Sequence, residues 1–278
     1  MTIEALKKRI KVTEDLREIV GTMKALSSVS ILQYEQANTA LAQYRRNLKD
    51  AFHALIKQGG LPKNEVKTAQ NRQLVILIGT DNGMVGKFNK EILDKAKADL
   101  KKQGVPLKNT LFLTVGKRIG GLAMQSNLKL YAKYAVANSV KMVNTIAETV
   151  IMKIDEATRK EHITGVCVWY HKRNKNEPVS VQKQQIIPFD FAAYQKLKDK
   201  PWGTNNIPLI PIEREKMFAA LLNEYLTIAL ASQLNYSLAA EHYTRMTNMQ
   251  NAEKNIDESL AKNSTVVFSS RSVNTLSN

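Results

Sequence analysis

The helix-breaking residues of this 278-residue chain are segregated, and no other feature constrains its fold as strongly. All seven prolines lie between Pro62 and Pro211, and eleven of the twelve glycines lie between Gly59 and Gly203, with Gly21 the exception. Glycine and proline are the residues that most disfavour a helix interior. Segments 1–58 and 212–278 are therefore expected to form two long helices, and 70–211 a folded domain between them. Each end helix approaches about 50 residues, or roughly 75 Å. That is far longer than the radius of a domain of about 150 residues. The two helices are expected to pair antiparallel and project beyond the domain.

Periodicity supports the pairing. Val20, Ser27, Tyr34, Leu41, Leu48 and Leu55 recur every seven residues, with Leu16, Met23, Ser30, Ala37, Tyr44 and Ala51 as a companion track. The last segment repeats the pattern through Leu221, Ile228, Asn235, His242, Met249 and Ile256, alongside Tyr225, Ser232, Ala239, Met246 and Leu260. Two such tracks form the seam of a left-handed coiled coil. Ser27, Ser30, Ser232 and Asn235 make this seam close but weak. A pair of core helices in a bundle would show the same periodicity. The breaker-free length favours the coiled coil, because ordinary globular helices run about three turns.

The middle alternates. Leu74–Ile78, Leu111–Val115 and Val166–Tyr170 read as buried strands, 128–134 as a short strand and 179–187 as an edge strand. Helical patterns fill 87–103, 117–126 and 140–160. Strands separated by helices imply a largely parallel, helix-covered sheet, hence a Rossmann-like α/β domain. Cys167 lies inside a strand and reads as a small buried hydrophobe.

The loop from Gly79 to Asn89 is the natural place to look for a phosphate cradle. A phosphate loop needs Gly five residues before its Gly-Lys and Ser or Thr after it. Asp81 and Phe88 occupy those places, so the requirement fails, as does the dinucleotide fingerprint. Asp81, Gly83 and Gly86 read instead as a tight strand-to-helix turn. His53, His162, His171 and His242 fall in no metal-ligand spacing, and no nucleophile elbow or zinc-protease motif occurs. No catalytic residue, cofactor or metal site is expected.

Composition adds limits. The single cysteine excludes a disulfide framework and a Cys-based zinc site. No 18-residue apolar run is evident in the sequence, so no membrane insertion is expected. The start lacks the apolar core of a signal peptide, which suggests a cytoplasmic protein. Net charge is +16, and residues 69–212 carry 23 Lys+Arg against 11 Asp+Glu, while 213–278 carry 6 against 7. Most of the excess sits on the middle domain, and the last helix is nearly neutral.

Specific residues carry a resemblance to a known family. Arg9-Ile10-Lys11, Ile19 and Met23-Lys24 resemble the opening helix of the gamma subunits of rotary ATP synthases. The run Thr80 to Asn89 resembles that family's D-x-G-L-x-G-x-x-N turn. Glu241-His242, Arg245-Met246, Met249, Asn251-Ala252 and Asn255 stand at the spacing of its C-terminal helix, with Arg271 at a basic position near the helix end. Departures include Glu14, Asp15 and Glu18 in a usually basic stretch, Asn223-Glu224 where Pro-Arg is common, and Ser272 where Gln is common.

The resemblance implies a non-catalytic central-stalk rotor. Its partners would be the alpha and beta subunits of a hexameric ring, an epsilon subunit and the membrane c ring. It would sit peripherally on the cytoplasmic side of a bacterial inner membrane. By resemblance, Met23, Arg245 and Arg271 contact the beta subunits or their bearing. Two other readings remain at this point: a basic nucleic-acid-binding protein with a coiled-coil arm, and an α/β enzyme with a coiled-coil dimerisation arm. The first is motivated by the charge, but aromatics are only 6% of the chain and offer no stacking platform. The second lacks a credible site.

Overall fold

The computed structural model describes residues 3–59, 72–174, 177–204 and 206–275, with side chains described except at 3, 192, 193, 264 and 266–275. Two helices dominate: α1 (Ile3–Lys57) and α6 (Arg214–Thr275), of 55 and 62 residues. At the α-helical rise these are about 80 and 90 Å long. They run antiparallel in one register. Arg17 Nε donates to Asp257 Oδ1 at 2.7 Å, Lys24 pairs with Glu253, and Tyr34 stacks on His242 at 5.8 Å. At the other end, Arg214 donates to the Gly59 and Gln58 carbonyls at 3.2 and 3.3 Å.

The buried positions of α1 include Ser27, Ile31, Tyr34, Asn38, Leu48, Phe52 and Leu55. One heptad track is the one legible in the sequence. The other is displaced by one residue: Ile31, Asn38 and Phe52 are buried, while Ser30, Ala37 and Ala51 are half-buried and Tyr44 is exposed. Ile31 and Phe52 bury more apolar surface than the small neighbours they displace.

The sheet comprises β1 (Gln73–Ile78), β2 (Thr110–Val115), β3 (Leu130–Tyr134), β4 (Gly165–Lys172) and β5 (Ser180–Ile187), in the order β3-β2-β1-β4-β5. The first four are parallel, and β5 closes the edge antiparallel to β4. Alternate residues of β1 face opposite layers. Val75 and Leu77 pack on α2 (Phe88–Lys102) and α3 (Lys117–Gln125). Leu74, Ile76 and Ile78 pack on α4 (Val140–Glu161) and on α6. Cover on both faces is why β1 is a continuous apolar run rather than an alternating one. A short α5 (Phe191–Gln195) follows β5. Phe189 beside it, with Tyr194, Phe218 and Tyr225, surrounds the fully buried Phe52 where the helix pair meets the domain.

Residues 228–241 of α6 are buried on nearly every face, with Tyr236 half-buried. Here α6 lies between α1 on one side and the sheet with α4 on the other. The helix is thus a core helix beside the sheet and a coiled-coil strand toward its C-terminal end. This accounts for a departure from the sequence expectation: α6 holds an 18-residue window of mean hydropathy 1.2, long and apolar enough by composition to cross a membrane. Half of that window is buried inside the fold.

Candidate functional site

The turn after β1 is held by its own side chains. Asn89, in the first turn of α2 and buried, accepts from the Thr80 N–H at 3.0 Å and donates through Nδ2 to Thr80 Oγ1 at 2.9 Å. Thr80 Oγ1 donates to the Asn82 carbonyl at 2.8 Å. Asp81 Oδ1 accepts from the Lys117 N–H at 2.7 Å, placing a carboxylate at the N-terminus of α3, where the helix dipole favours it. A Cβ at Gly79 would lie 2.3 Å from Asn89 Oδ1, so only glycine lets the carboxamide approach. Gly86 has φ +57, a left-handed conformation that glycine adopts without strain. Because Asn89 already takes the Thr80 N–H, that donor is not available to a phosphate.

Helix α6 passes directly against this turn. Ser237 Oγ donates to the Ile78 carbonyl at 3.3 Å and Asn248 Nδ2 to the Met84 carbonyl at 2.8 Å. Val85 and Phe88 of the turn pack with Ala240. One turn of α6 further on, Arg245 Nη2 donates to Glu241 Oε1 at 2.5 Å, and the two side chains are 8% and 4% exposed. Arg245 Nη1 also lies 3.3 Å from His242 Nδ1.

A cleft of about 520 Å³ opens at this junction, lined by Met23 and Leu26 of α1, Gly83 and Met84 of the turn, Arg118 of α3, and His242 and Arg245 of α6. Met23, Gly83 and Arg245, far apart in sequence, thus share one surface. Asp81 is close enough to Glu241 for its charge to be felt there. Gly86 lines a neighbouring cavity with His171 and Asn248. Arg271 does not join them. It lies 26 residues further along α6, about 39 Å by helical rise, and its side chain lies outside the described residues. Residues passed over in sequence are Arg118, Tyr34 and Gly79. No spacing marks Arg118, because only the tertiary fold brings it to the turn; Tyr34 stands on the heptad track of α1 and meets His242 on that of α6, a seam contact not assigned to the site from sequence.

The electrostatics are those of a buried junction. Burial raises the Glu241 pKa, opposed by the Arg245 guanidinium. Burial and then the Arg245 charge push His242 down to about 4. Tyr34 is raised by burial and by Glu241. Cys167 is pushed up by burial to about 11, an inert thiol. Among the described residues, no group of three or more His, Cys, Asp and Glu could hold a metal ion.

His171 gives a pH prediction. Its ring is 1% exposed, stacks on Phe88 at 3.6 Å, and neither nitrogen has a hydrogen-bond partner among the described residues. Burial, with Lys95 nearby, holds its pKa down at about 3. A depressed pKa contributes stability that is present above the unfolded value of about 6.5 and lost as pH falls through the folded one. His242 acts in the same direction, and Glu241, with its raised pKa, acts in the opposite one. His171→Phe keeps the stacking and removes two orphaned polar atoms. It is expected to reduce the slope of unfolding free energy against pH near pH 5 by about 1.4 kcal/mol per pH unit. Denaturant titrations from pH 4 to 7 check this, and an unchanged slope rules it out.

A family model described as ATP synthase matches residues 2–271. The chain is 23% identical over 266 residues to the ATP synthase gamma chain of Geotalea uraniireducens (strain Rf4), covering 94% of this chain and 89% of that one. It is 25% identical over 273 residues to the gamma chain of Pelagibacter ubique (strain HTCC1062), covering 94% and 90%. Among solved structures, it is similar in fold to a chain of the rotor of the Euglena gracilis mitochondrial ATP synthase. That match has a TM-score of 0.60 at 14% identity and covers 98% of each chain. A chain from the central stalk and c-ring structure of the Tetrahymena thermophila mitochondrial ATP synthase gives 0.55 at 19% identity, covering 84% of this chain and 99% of that one.

Proposed function

The chain belongs to the ATP synthase gamma-chain family, and from that premise we propose that it is the central-stalk rotor of a rotary ATP synthase. The helix pair enters a ring of alpha and beta subunits, and the α/β domain is the foot that meets an epsilon subunit and a membrane c ring. The chain then sits peripherally on the cytoplasmic side of a bacterial inner membrane. Ion-driven turning of the c ring is passed up the rod to the catalytic sites of the beta subunits. The shaft itself performs no chemistry.

One observation carries this reading. Along α1, Val12, Leu16, Ile19 and Leu26 are 51%, 48%, 56% and 64% exposed, at spacings that place them with Met23 on one flank of the helix. An exposed apolar flank of that kind is a surface suited to being covered by another protein. It runs beside charged stretches of the same rod, so the shaft has chemically unlike faces. A shaft with unlike faces inside a ring of like subunits makes different contacts with each. Differential contact is what shifts a conformational equilibrium. Met23 and Arg245 would meet the beta subunits at the cleft, and Arg271 near the end of the rod. The surplus of cations on residues 69–212 suits docking of the foot to an acidic surface.

Affinity purification of the tagged chain from its native host, in mild detergent, tests the reading. ATPase alpha and beta subunits are expected in excess over the tagged chain. Recovery without them overturns it.

A further inference from the structure

The strand order β3-β2-β1-β4-β5 changes direction at one place. From β1 the chain passes to β2 on one side, and from β3 it crosses back to β4 on the other. Open α/β sheets bind ligands in the crevice beyond the carboxyl ends of the two strands that flank such a reversal. Helix α6 fills part of that crevice, and a cavity of about 330 Å³ remains beside it. Its walls include Gly86, Lys87 and Phe88 after β1, Glu91 in the first turn of α2, His171 near the end of β4, and Asn248 of α6.

The start of α2 meets this cavity uncapped. Lys87 holds the cap position, and its side chain makes no capping hydrogen bond. The first helical bond runs from the Glu91 N–H to the Lys87 carbonyl at 2.9 Å, so the Asn89 and Lys90 N–H groups lie ahead of the ladder. Gly86 has φ +57 and Lys87 φ −84, a left-handed then right-handed succession of the kind that forms anion-binding concavities. A Cβ at Gly86 would meet nothing within 4 Å, so the backbone there is open to close approach. His171 is an independent sign of a ligand. Its side chain is 1% exposed, it lines the cavity, and neither ring nitrogen has a hydrogen-bond partner among the described residues. Its Nε2 stands 4.0 Å from Glu91 Oε2, too long for a hydrogen bond. A neutral imidazole keeps one N–H to donate. Asn248 spends one of its two carboxamide hydrogens on the Met84 carbonyl and retains the other.

The field in the cavity is positive. Lys87 is exposed at its rim, the charge of Lys95 is felt at His171, and the N-terminus of a 15-residue helix adds its dipole. The donors are distinct from the Thr80 N–H that Asn89 already takes. Such a field repels a metal cation and attracts an anion with several acceptor oxygens. We propose that this cavity binds an oxyanion of the phosphate class, held by the open backbone at Gly86 and the start of α2, by the Lys87 ammonium and by the His171 N–H. The Glu91 side chain, 52% exposed, swings out to solvent on binding, because two anions repel each other in one site. The bound ion joins α2 and β4 of the foot to α6 of the rod through Asn248. The site goes beyond the rotor reading, which assigns no small ligand to this chain, and does not depend on it.

The test titrates the purified full-length chain with inorganic phosphate in low-salt buffer, following melting temperature and the phosphorus NMR line width. The expected result is a saturable rise in melting temperature with matching broadening of the phosphate line. His171→Phe should raise the half-saturating concentration at least about tenfold, because it removes a hydrogen bond to a charged ligand. Lys87→Ala, at an exposed position, should raise it too and reads the same site independently of His171. Glu91→Gln should lower it by removing the competing carboxylate. Lys101→Ala, at the far end of α2, removes the same charge and should leave it unchanged. Repeating the titration with AMP separates two sources of the same group: tighter binding than phosphate assigns it to a nucleotide, weaker binding to the free ion, and either supports the site. No saturable response to phosphate overturns the proposal. So does a response that His171→Phe and Lys87→Ala leave intact, or that Lys101→Ala weakens equally. Each of these failures leaves the rotor reading standing.

Discussion

Arg245→Leu is expected to destabilise the chain by about 3–5 kcal/mol, because it strands the Glu241 carboxylate in the interior. Glu241 is 3% exposed, and its Oε2 already has no hydrogen-bond partner among the described residues. Its Oε1 accepts from Arg245 Nη2 at 2.5 Å. A leucine covers the same space and cannot balance the charge. The cost of removing one partner of a buried pair is mainly the penalty on the charge left behind, so Glu241→Leu combined with Arg245→Leu should recover most of the loss. The loss should also depend on pH with a definite sign. The folded Glu241 pKa is raised by burial even with Arg245 present, and without the guanidinium it rises further. A raised carboxylate pKa contributes stability that is full below the unfolded value and lost as pH rises through the folded one. The single variant should therefore approach the wild type below about pH 4.5 and fall furthest behind near neutrality. Denaturant unfolding of the full chain at several pH values measures this. A loss under about 1 kcal/mol at neutral pH, typical of an exposed pair, would mean that the two side chains are solvated.

The same residue shows how much of the site was legible in the sequence. The spacing of Glu241, His242 and Arg245 is visible in one helix, and so is the turn that holds Asp81, Gly83 and Gly86. What one-dimensional spacing cannot show is that α6 crosses the turn, because the contacts responsible are Ser237 to Ile78 and Asn248 to Met84, at separations of 159 and 164 residues. Arg118 joins the site for the same reason. The fold was more legible. Breaker segregation marked both long helices, and continuous apolar runs marked the doubly covered strands. The heptad seam of α1 was half legible. Where two adjacent residues could each serve, as with Ser30 and Ile31 or Ala51 and Phe52, periodicity allows either. The larger apolar side chain is the one buried. The interior of α6 was the least legible. Cover on both sides by α1 and the sheet removes the amphipathic contrast that periodicity relies on, leaving a run that resembles a membrane span by composition.

The account rests on the proposal that this chain turns within a catalytic ring, and single-molecule rotation tests that most directly. The buried Cys167 thiol, with its pKa pushed up to about 11, will not compete for a maleimide. A cysteine introduced by Met152→Cys on α4, where the native side chain is 71% exposed, can then carry a bead. The alpha and beta subunits of the purified complex are fixed to a surface and ATP is added. The account predicts sustained rotation of the bead in one direction, stopping when ATP is removed. A complex that hydrolyses ATP at its normal rate, while the bead on this chain shows only undirected fluctuation, would contradict it.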